Sequence, residues 1–223
     1  MIDRTLVKQR DLWYVIGLIA TDGNLSLDGR HINITSKDIQ HLEKVKIALG
    51  LLSKITMKAN GTSKKKIYGA LSFSDVCFFR YLLSIGLTPK KSLTISQISV
   101  PEVYFTHFLR GVIDGDGNIH RWIHPQNNCE QWELRIYSAS INFTQWLYDK
   151  TTELFHVSGN IITSLPHGRN MYNIKFGKMA AQAVLRGCYT KDCLALERKY
   201  ILAKSCISSY KGWSRSLTID RKT

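Results

Sequence analysis

The sequence predicts an α+β protein built from two pseudo-symmetric repeats, each running αββαββα. Three observations predict it. Two segments nearly restate one another, Val15-Ile16-Gly17-Leu18-Ile19-Ala20-Thr21-Asp22-Gly23-Asn24-Leu25 and Leu109-Arg110-Gly111-Val112-Ile113-Asp114-Gly115-Asp116-Gly117-Asn118-Ile119, 94 residues apart. After each, the hydrophobic period switches between helix-like and strand-like spacing in the same order. Between the halves, residues 88–101 hold Pro89 and Pro101 and break the pattern. The organisation expected is a first repeat over 1–88, a linker over 89–107 and a second repeat over 108–223 that ends in an extra helix.

Each element has a local reason. An amphipathic helix is expected over 8–21, with Gly23 past its end. Residues 24–27 alternate polar and apolar, Asp28-Gly29 signals a hairpin turn, and residues 31–35 alternate again. Ser36 is the expected N-cap of a helix carrying Ile39, Leu42, Val45, Ile47 and Leu49, which Gly50 stops. Strands near 54–58 and 67–73 flank Asn60-Gly61, and an apolar helix covers about 75–85. The second half follows the same plan. Its first helix ends at Gly115, and strands near 118–120 and 133–137 follow. A helix over 138–155, strands over 160–164 and 172–176 around Pro166-His167-Gly168, and a helix over 179–185 complete it. A last helical stretch covers about 194–210.

The 223 residues can bury a sizeable core, and 44% are hydrophobic. No apolar run is long enough to span a membrane, and Asp3 and Arg4 near the start do not fit a secretory signal. Lysine and arginine number 31 against 17 acids, a formal charge of +14 with a pI near 9.6. That imbalance points to a polyanionic partner, nucleic acid before an anionic membrane, because no strongly basic amphipathic helix stands out. The five cysteines lack a Cys-x-x-Cys pair and are read as reduced thiols of a cytosolic or organelle-matrix protein. His120 and His124 are read as surface contacts rather than zinc ligands.

The chemistry sits in the duplicated segments. Gly17 and Thr21 share one helical face, as do Gly111 and Gly115, so two backbones can approach closely along that seam. Leu18 and Val112 then fill the cores of their own halves. Asp22 and Asp116 would emerge side by side at the bottom of the seam. Two like charges at the negative ends of helix dipoles repel, and a hard divalent cation such as Mg²⁺ resolves the conflict. A pair of such metals suits phosphodiester hydrolysis.

From about Leu12 to about Tyr210, these residues resemble the LAGLIDADG homing endonucleases in their single-chain, two-repeat form. Gly17, Leu18, Ile19, Asp22 and Gly23 fit the first motif, and Gly111, Ile113, Asp114, Asp116 and Gly117 the second. The resemblance implies a saddle of two four-stranded antiparallel sheets with helices on one face, seated in the DNA major groove. It implies metal-dependent cleavage of both strands at a long asymmetric target by a monomer. Two or three Mg²⁺ ions would serve, with Mn²⁺ or Ca²⁺ as structural substitutes. Carried over by residue, Asp22 and Asp116 become the metal-binding catalytic acids, and the carbonyls of Thr21 and Gly115 add ligands. Pro89-Lys90-Lys91-Ser92 and Leu196-Glu197-Arg198-Lys199 match the basic motifs, so Lys91 and Lys199 are assigned to charge stabilisation or water activation. Ser36 and Ser138 match positions that orient a water network. Ala20 departs from the motif's sixth-position Asp, which Asp114 retains in a structural role. Thr21 is larger than the usual small residue, which predicts a looser helix contact on its side.

Strand alternation separates the faces. Leu25, Leu27, Ile32, Ile34, Leu71 and Phe73 are expected against the helices. Asn24, Ser26, Arg30, Asn33, Thr35, Lys54, Thr56, Lys58, Tyr68 and Ser72 are expected to face DNA. In the second half the DNA-facing set is Asn118, His120, Trp122, Glu133, Arg135, Tyr137, Asn173 and Lys175. Arg, Asn and Glu can read guanine, adenine and cytosine respectively in the major groove. Lys64, Lys65 and Lys66 read as phosphate contacts at a hairpin tip. Two sheets and a central step imply a site of about 15–22 base pairs. Two other readings stay open: a splicing cofactor for intron RNA, and a DNA-binding regulator without catalysis. Retention of both motif-final aspartates favours the nuclease over the regulator and leaves the splicing role possible. The chain ends carry no splice-junction nucleophile, so a self-splicing intein is not expected.

Overall fold

A computed structural model describes residues 2, 7–60 and 63–209; 59, 60, 63–67 and 167 are described by backbone alone. The readings of Lys64, Lys65 and Lys66 as phosphate contacts, and of the last helix reaching residue 210, lie outside the described residues.

The first repeat consists of α1 (Gln9–Thr21), β1 (Gly23–Leu25), β2 (His31–Ser36), α2 (Ile39–Ala48), β3 (Ile55–Asn60), β4 (Ser63–Ser74) and α3 (Val76–Ser84). The second repeats that order with α4 (Phe105–Asp116), β5 (Gly117–Ile123), β6 (Glu130–Ser138), α5 (Ile141–Phe155), β7 (Asn160–Ser164), β8 (Met171–Gly177) and α6 (Lys178–Cys188). The added helix is α7 (Glu197–Ser208). Two antiparallel four-stranded sheets result, ordered β1-β2-β4-β3 and β5-β6-β8-β7. The fold is α+β, as the sequence predicts.

Register places the apolar positions on one face. Gly23 pairs with Ile34, Leu25 with Ile32, and Ile32 and Ile34 with Phe73 and Leu71. Ile119 pairs with Leu134, and Leu134 and Ile136 with Phe176 and Ile174. All are buried against the helices. Leu27 is an exception to the expected pattern: β1 ends at Leu25, so Leu27 falls in the turn and is 74% exposed. Ile47 likewise lies on the outer side of α2 and is exposed.

Helix α1 is not amphipathic. Every residue from Trp13 to Ala20 is buried, because α4 covers one side and the first sheet another. A helix apolar on all sides belongs inside. In α4, Phe105 and the run from Phe108 to Asp114 are buried. This helix begins at Phe105, inside the segment read as linker, since Phe105 and Phe108 both pack edge-on against Trp146.

The seam between α1 and α4 is a backbone contact. A Cβ on Gly17 would lie 2.2 Å from the carbonyl oxygen of Phe108 and 3.0 Å from Cα of Gly111. One on Gly111 would lie 2.1 Å from the carbonyl oxygen of Tyr14. The expectation of a looser contact beside Thr21 fails. A Cβ on Gly115 would lie 2.0 Å from Thr21 Oγ1, so the bulk of Thr21 fills the space that Gly115 leaves.

Ser36 does not cap α2. Strand β2 runs through Ser36, which pairs with Gly69, so the helix cannot begin until the chain leaves the sheet. Asp38 caps instead, its Oδ1 accepting from the His41 N–H at 3.1 Å. Ser36 Oγ accepts from the Asp38 N–H at 3.1 Å. The second half repeats the device one repeat later. Ser138 Oγ accepts from the Ser140 N–H at 3.1 Å, and Ser140 caps α5 through the Phe143 N–H.

The seam predicts a graded response to added methyl groups. Gly17→Ala and Gly111→Ala meet backbone, which no rotamer change relieves, and each should lose about 3 kcal/mol in urea unfolding. Gly177→Ala, where a Cβ would meet nothing within 4 Å, should stay within about 0.5 kcal/mol of the parent. Equal losses at all three positions would refute the backbone contact.

Candidate active site and nucleic-acid face

The close crossing of α1 and α4 brings their C-terminal acids together. Asp22 is the C-cap of α1, its N–H donating to the Leu18 carbonyl at 2.9 Å, and Asp116 is the last residue of α4. The carboxylate of Asp22 leans across the seam: its Oδ2 lies 3.4 Å from the position a Cβ on Gly115 would occupy. Both acids are exposed. The surrounding protein still withdraws water from their carboxyls, and this desolvation raises the pKa of Asp22. Desolvation, and then the nearby charge of Asp22, push Asp116 up to about 6. A cleft of about 180 Å³ beside Asp116 is bordered by Thr21, Ser92, Tyr137 and Ser138.

Lys91 and Lys199 both reach this charge pair through remote segments. Each ammonium opposes the rise in Asp22 and Asp116. Each is buried, at 5% and 4% exposure, and desolvation lowers each pKa to about 8. Their hydrogen bonds go to backbone rather than into the cleft. Lys91 Nζ donates to the Gly23 carbonyl. Lys199 Nζ donates to the carbonyls of Ile113 at 2.6 Å, Asp114 at 2.7 Å and Gly115 at 3.2 Å, capping the end of α4 where the dipole is negative. A metal on the Gly115 carbonyl would share that oxygen with the ammonium. Glu197, the sequence neighbour on α7, pairs with Lys44 of α2 at 3.0 Å.

Asp114 has a separate task. It is buried and accepts from Tyr14 Oη at 2.7 Å, Tyr189 Oη at 2.6 Å and the Leu196 N–H at 2.7 Å. Tyr14 Oη also meets His41 Nε2 at 3.1 Å. Arg110 lies over the Tyr14 ring and donates to the carbonyls of Leu194 at 2.9 Å and Cys188 at 2.8 Å. This buried network ties α1, α4 and the segment before α7 into one body. It fixes the backbone from which Lys199 reaches the α4 tip. Sequence reasoning missed Tyr14, Tyr189 and Arg110. The one signal was an arginine inside the apolar run of the second motif.

The sheet faces opposite the helices carry most of the expected polar residues in register. Asn24 pairs with Asn33, Asn33 with Ser72, Thr56 with Ala70 and Lys58 with Tyr68. Thr35 shares this side of β2. Ser26 and Arg30 lie in the turn after β1, and Lys54 precedes β3. In the second sheet, Asn118 pairs with Arg135 and Arg135 with Lys175; His120 pairs with Glu133, and Tyr137 with Asn173. The rings of His120 and Trp122 stack at 5.4 Å. Two residues depart from the expected exposure. Glu133 is 5% exposed beside Arg135 and Lys175, and Asn173 is 4% exposed, its Nδ2 donating to the Ile162 carbonyl of β7 at 3.3 Å.

Among the described residues no helix is long and apolar enough to cross a membrane, and no group of three or more His, Cys, Asp or Glu side chains could hold a metal. The five cysteines are free thiols.

No protein-family model and no curated protein matches the sequence. Solved structures do match the fold. Full-length DUF199/WhiA from Thermatoga maritima aligns with a TM-score of 0.55 and 16% identity over 92% of this chain and 63% of that one. The chain therefore spans less than two thirds of WhiA. Meganuclease I-SmaMI bound to uncleaveable DNA aligns with a TM-score of 0.60 and 12% identity over 90% of both chains. The I-LtrWI LAGLIDADG homing endonuclease bound to target DNA aligns at 0.55 and 12% over 88% of this chain and 89% of that one. At these identities the likeness establishes the two-domain LAGLIDADG fold.

The raised acid gives a signed pH effect. Folding holds Asp116 at about 6, above its ordinary 3.8, so its contribution to stability is present below pH 3.8 and is lost as pH rises through 6. In chelator, Asp116→Asn should unfold at the same temperature as the parent at pH 4 and at a higher one at pH 7.5. A gap that is constant with pH would show the carboxyl to be unperturbed.

Proposed function

We propose that the protein is a site-specific DNA endonuclease that hydrolyses one phosphodiester in each strand with the help of divalent metal. One observation carries the reading: an acid from each repeat stands at the tip of one of two helices in backbone contact, crowded into mutual repulsion between two buried ammonium groups. That arrangement is costly for folding and useful for holding cations against phosphate. The donor set fits the group, being two carboxylates, a carbonyl of Thr21 and the shared carbonyl of Gly115, the hard oxygen ligands that Mg²⁺ prefers. Held there, such ions would supply Lewis-acid stabilisation of the phosphoryl oxygens and a more acidic water.

The chain's own residues do the remaining work. Asp22 and Asp116 hold negative charge at the seam because Lys91 and Lys199 offset it. Lys199 acts on a phosphate by charge and not by direct donation, since its ammonium already donates to three carbonyls at the end of α4, whereas Lys91 commits one donor to the Gly23 carbonyl. Ser138 borders the cleft beside Asp116, and its hydroxyl proton is free to order water there while its oxygen accepts from Ser140. The two polar sheet faces, one per repeat, flank the seam and supply the grip on duplex DNA. The net charge of +14 strengthens that grip.

The test is a cleavage selection on a randomised duplex library with Mg²⁺, repeated with Asp22→Asn and Asp116→Asn. The parent should enrich one cut site. Each variant should cut it at least about a hundredfold more slowly while binding it with nearly unchanged affinity. Undiminished cutting by either variant overturns the site. A parent that binds one duplex and cuts nothing supports the regulator in place of the nuclease.

Binding should also weaken steeply with salt. With about six to ten phosphate contacts, affinity should fall roughly 10³- to 10⁵-fold between about 50 and 200 mM salt. A flat salt profile would contradict the basic saddle.

A further inference from the structure

The two sheets are related position by position, and the relation exposes one difference in chemistry. Gly23 pairs with Ile34 as Gly117 pairs with Ile136, so Asn33 corresponds to Arg135 and His31 to Glu133. One strand further, Asn33 pairs with Ser72 where Arg135 pairs with Lys175. The first sheet therefore places a neutral Asn–Ser pair where the second places two cations beside an acid.

That acid is badly placed to read a base. Glu133 is 5% exposed, Arg135 Nε lies 2.7 Å from its Oε1, and Lys175 Nζ lies 3.3 Å from its Oε2. The contact with Arg135 is an ion pair whose N–H is not well aligned, so it fixes the guanidinium mainly by charge. Glu133 first, and Tyr137 to a lesser degree, favour the charged form of Arg135. About a third of the Arg135 side chain stays exposed, and Nε is the atom committed to Glu133. Terminal amino groups of an arginine held through Nε are the donors that guanine O6 and N7 would accept from. Across from Glu133 on β8 stands Gly177, around whose missing Cβ there is open space. An open groove of about 770 Å³ borders Lys175 and Gly177.

We propose that Glu133 is a positioning residue for sequence recognition. It holds Arg135 and Lys175 as a fixed donor pair, and the base pair facing that pair carries a guanine in the half-site read by the second sheet. The inference rests on the DNA-reading assignment of the sheet face. It also replaces direct reading of cytosine by Glu133. A buried carboxylate on a face meant for a polyanion is otherwise a cost, and here it restrains two flexible cations that would bind any phosphate.

The experiment is a binding selection on a randomised duplex library in Ca²⁺, with the full chain, E133Q and R135A, at two salt concentrations. The parent should prefer guanine at one position of the second half-site. R135A and E133Q should both lose about ten- to a hundredfold discrimination at that same position. E133Q should also gain non-specific affinity, with a salt slope steeper by about one, as Lys175 is released to phosphate. If circular dichroism shows E133Q unfolded, E133D keeps the charge, draws it back by one methylene and should relax the same position by a smaller factor. Loss at a different position from R135A would make Glu133 a reader in its own right. Unchanged preferences in a folded E133 variant, or a preferred base other than guanine, would overturn the proposal. Failure of the parent to select any duplex would instead remove the DNA-binding assignment beneath it.

Discussion

Everything in this protein follows from two helices that touch through their backbones. Gly17 and Gly111 present no side chain to one another, and neither tolerates a Cβ. Close approach removes the layer of side chains that usually separates packed helices. It brings the last turns of α1 and α4 together, and with them two acids that a looser crossing would leave apart. It also joins the two sheets, since each packs on its own member of the helix pair.

The approach has an electrostatic consequence that the rest of the chain answers. Helix C-termini and carboxylates stack negative charge at one point. Lys91 and Lys199 answer it, each giving up solvation to reach a carbonyl at a helix tip. Asp114 answers differently. It turns away from the tip into the core and binds two tyrosines and a backbone N–H. The first motif carries Ala20 at the matching position, and no equivalent anchor exists there. The repeats are thus alike at the tips and unlike just behind them. The extra helix α7, which carries Lys199, docks through the repeat that has the anchor.

The polar faces show the same division. In the first sheet the central pair is neutral, and in the second it is a charged cluster held by an internal acid. The two faces therefore differ in charge even though their backbones correspond position by position. Duplication of the fold supplied the frame, and side-chain change on the exposed strands made the halves distinct.

Much of this was legible in the sequence because it depends on local spacing. Small residues four apart mark a helix face that another helix can approach. Alternation marks strand faces, and Asp-Gly-Asn after an apolar run marks where a helix ends. These signals act within a turn or a strand, so they survive without knowledge of distant partners. What the sequence could not settle depends on contacts between remote segments. Helix α1 reads as amphipathic until α4 covers its second side. Ser36 reads as a cap until pairing with Gly69 keeps it in the strand. Glu133 reads as a base contact until Arg135 and Lys175 close over it. Lys199 reads as a group for charge stabilisation or water activation, and only the fold shows its ammonium on carbonyls more than eighty residues away. Spacing determined which elements form and which faces they show, whereas tertiary packing decided the burial and partners of each charge, because the energy of a charge is set by its surroundings and not by its neighbours in the chain.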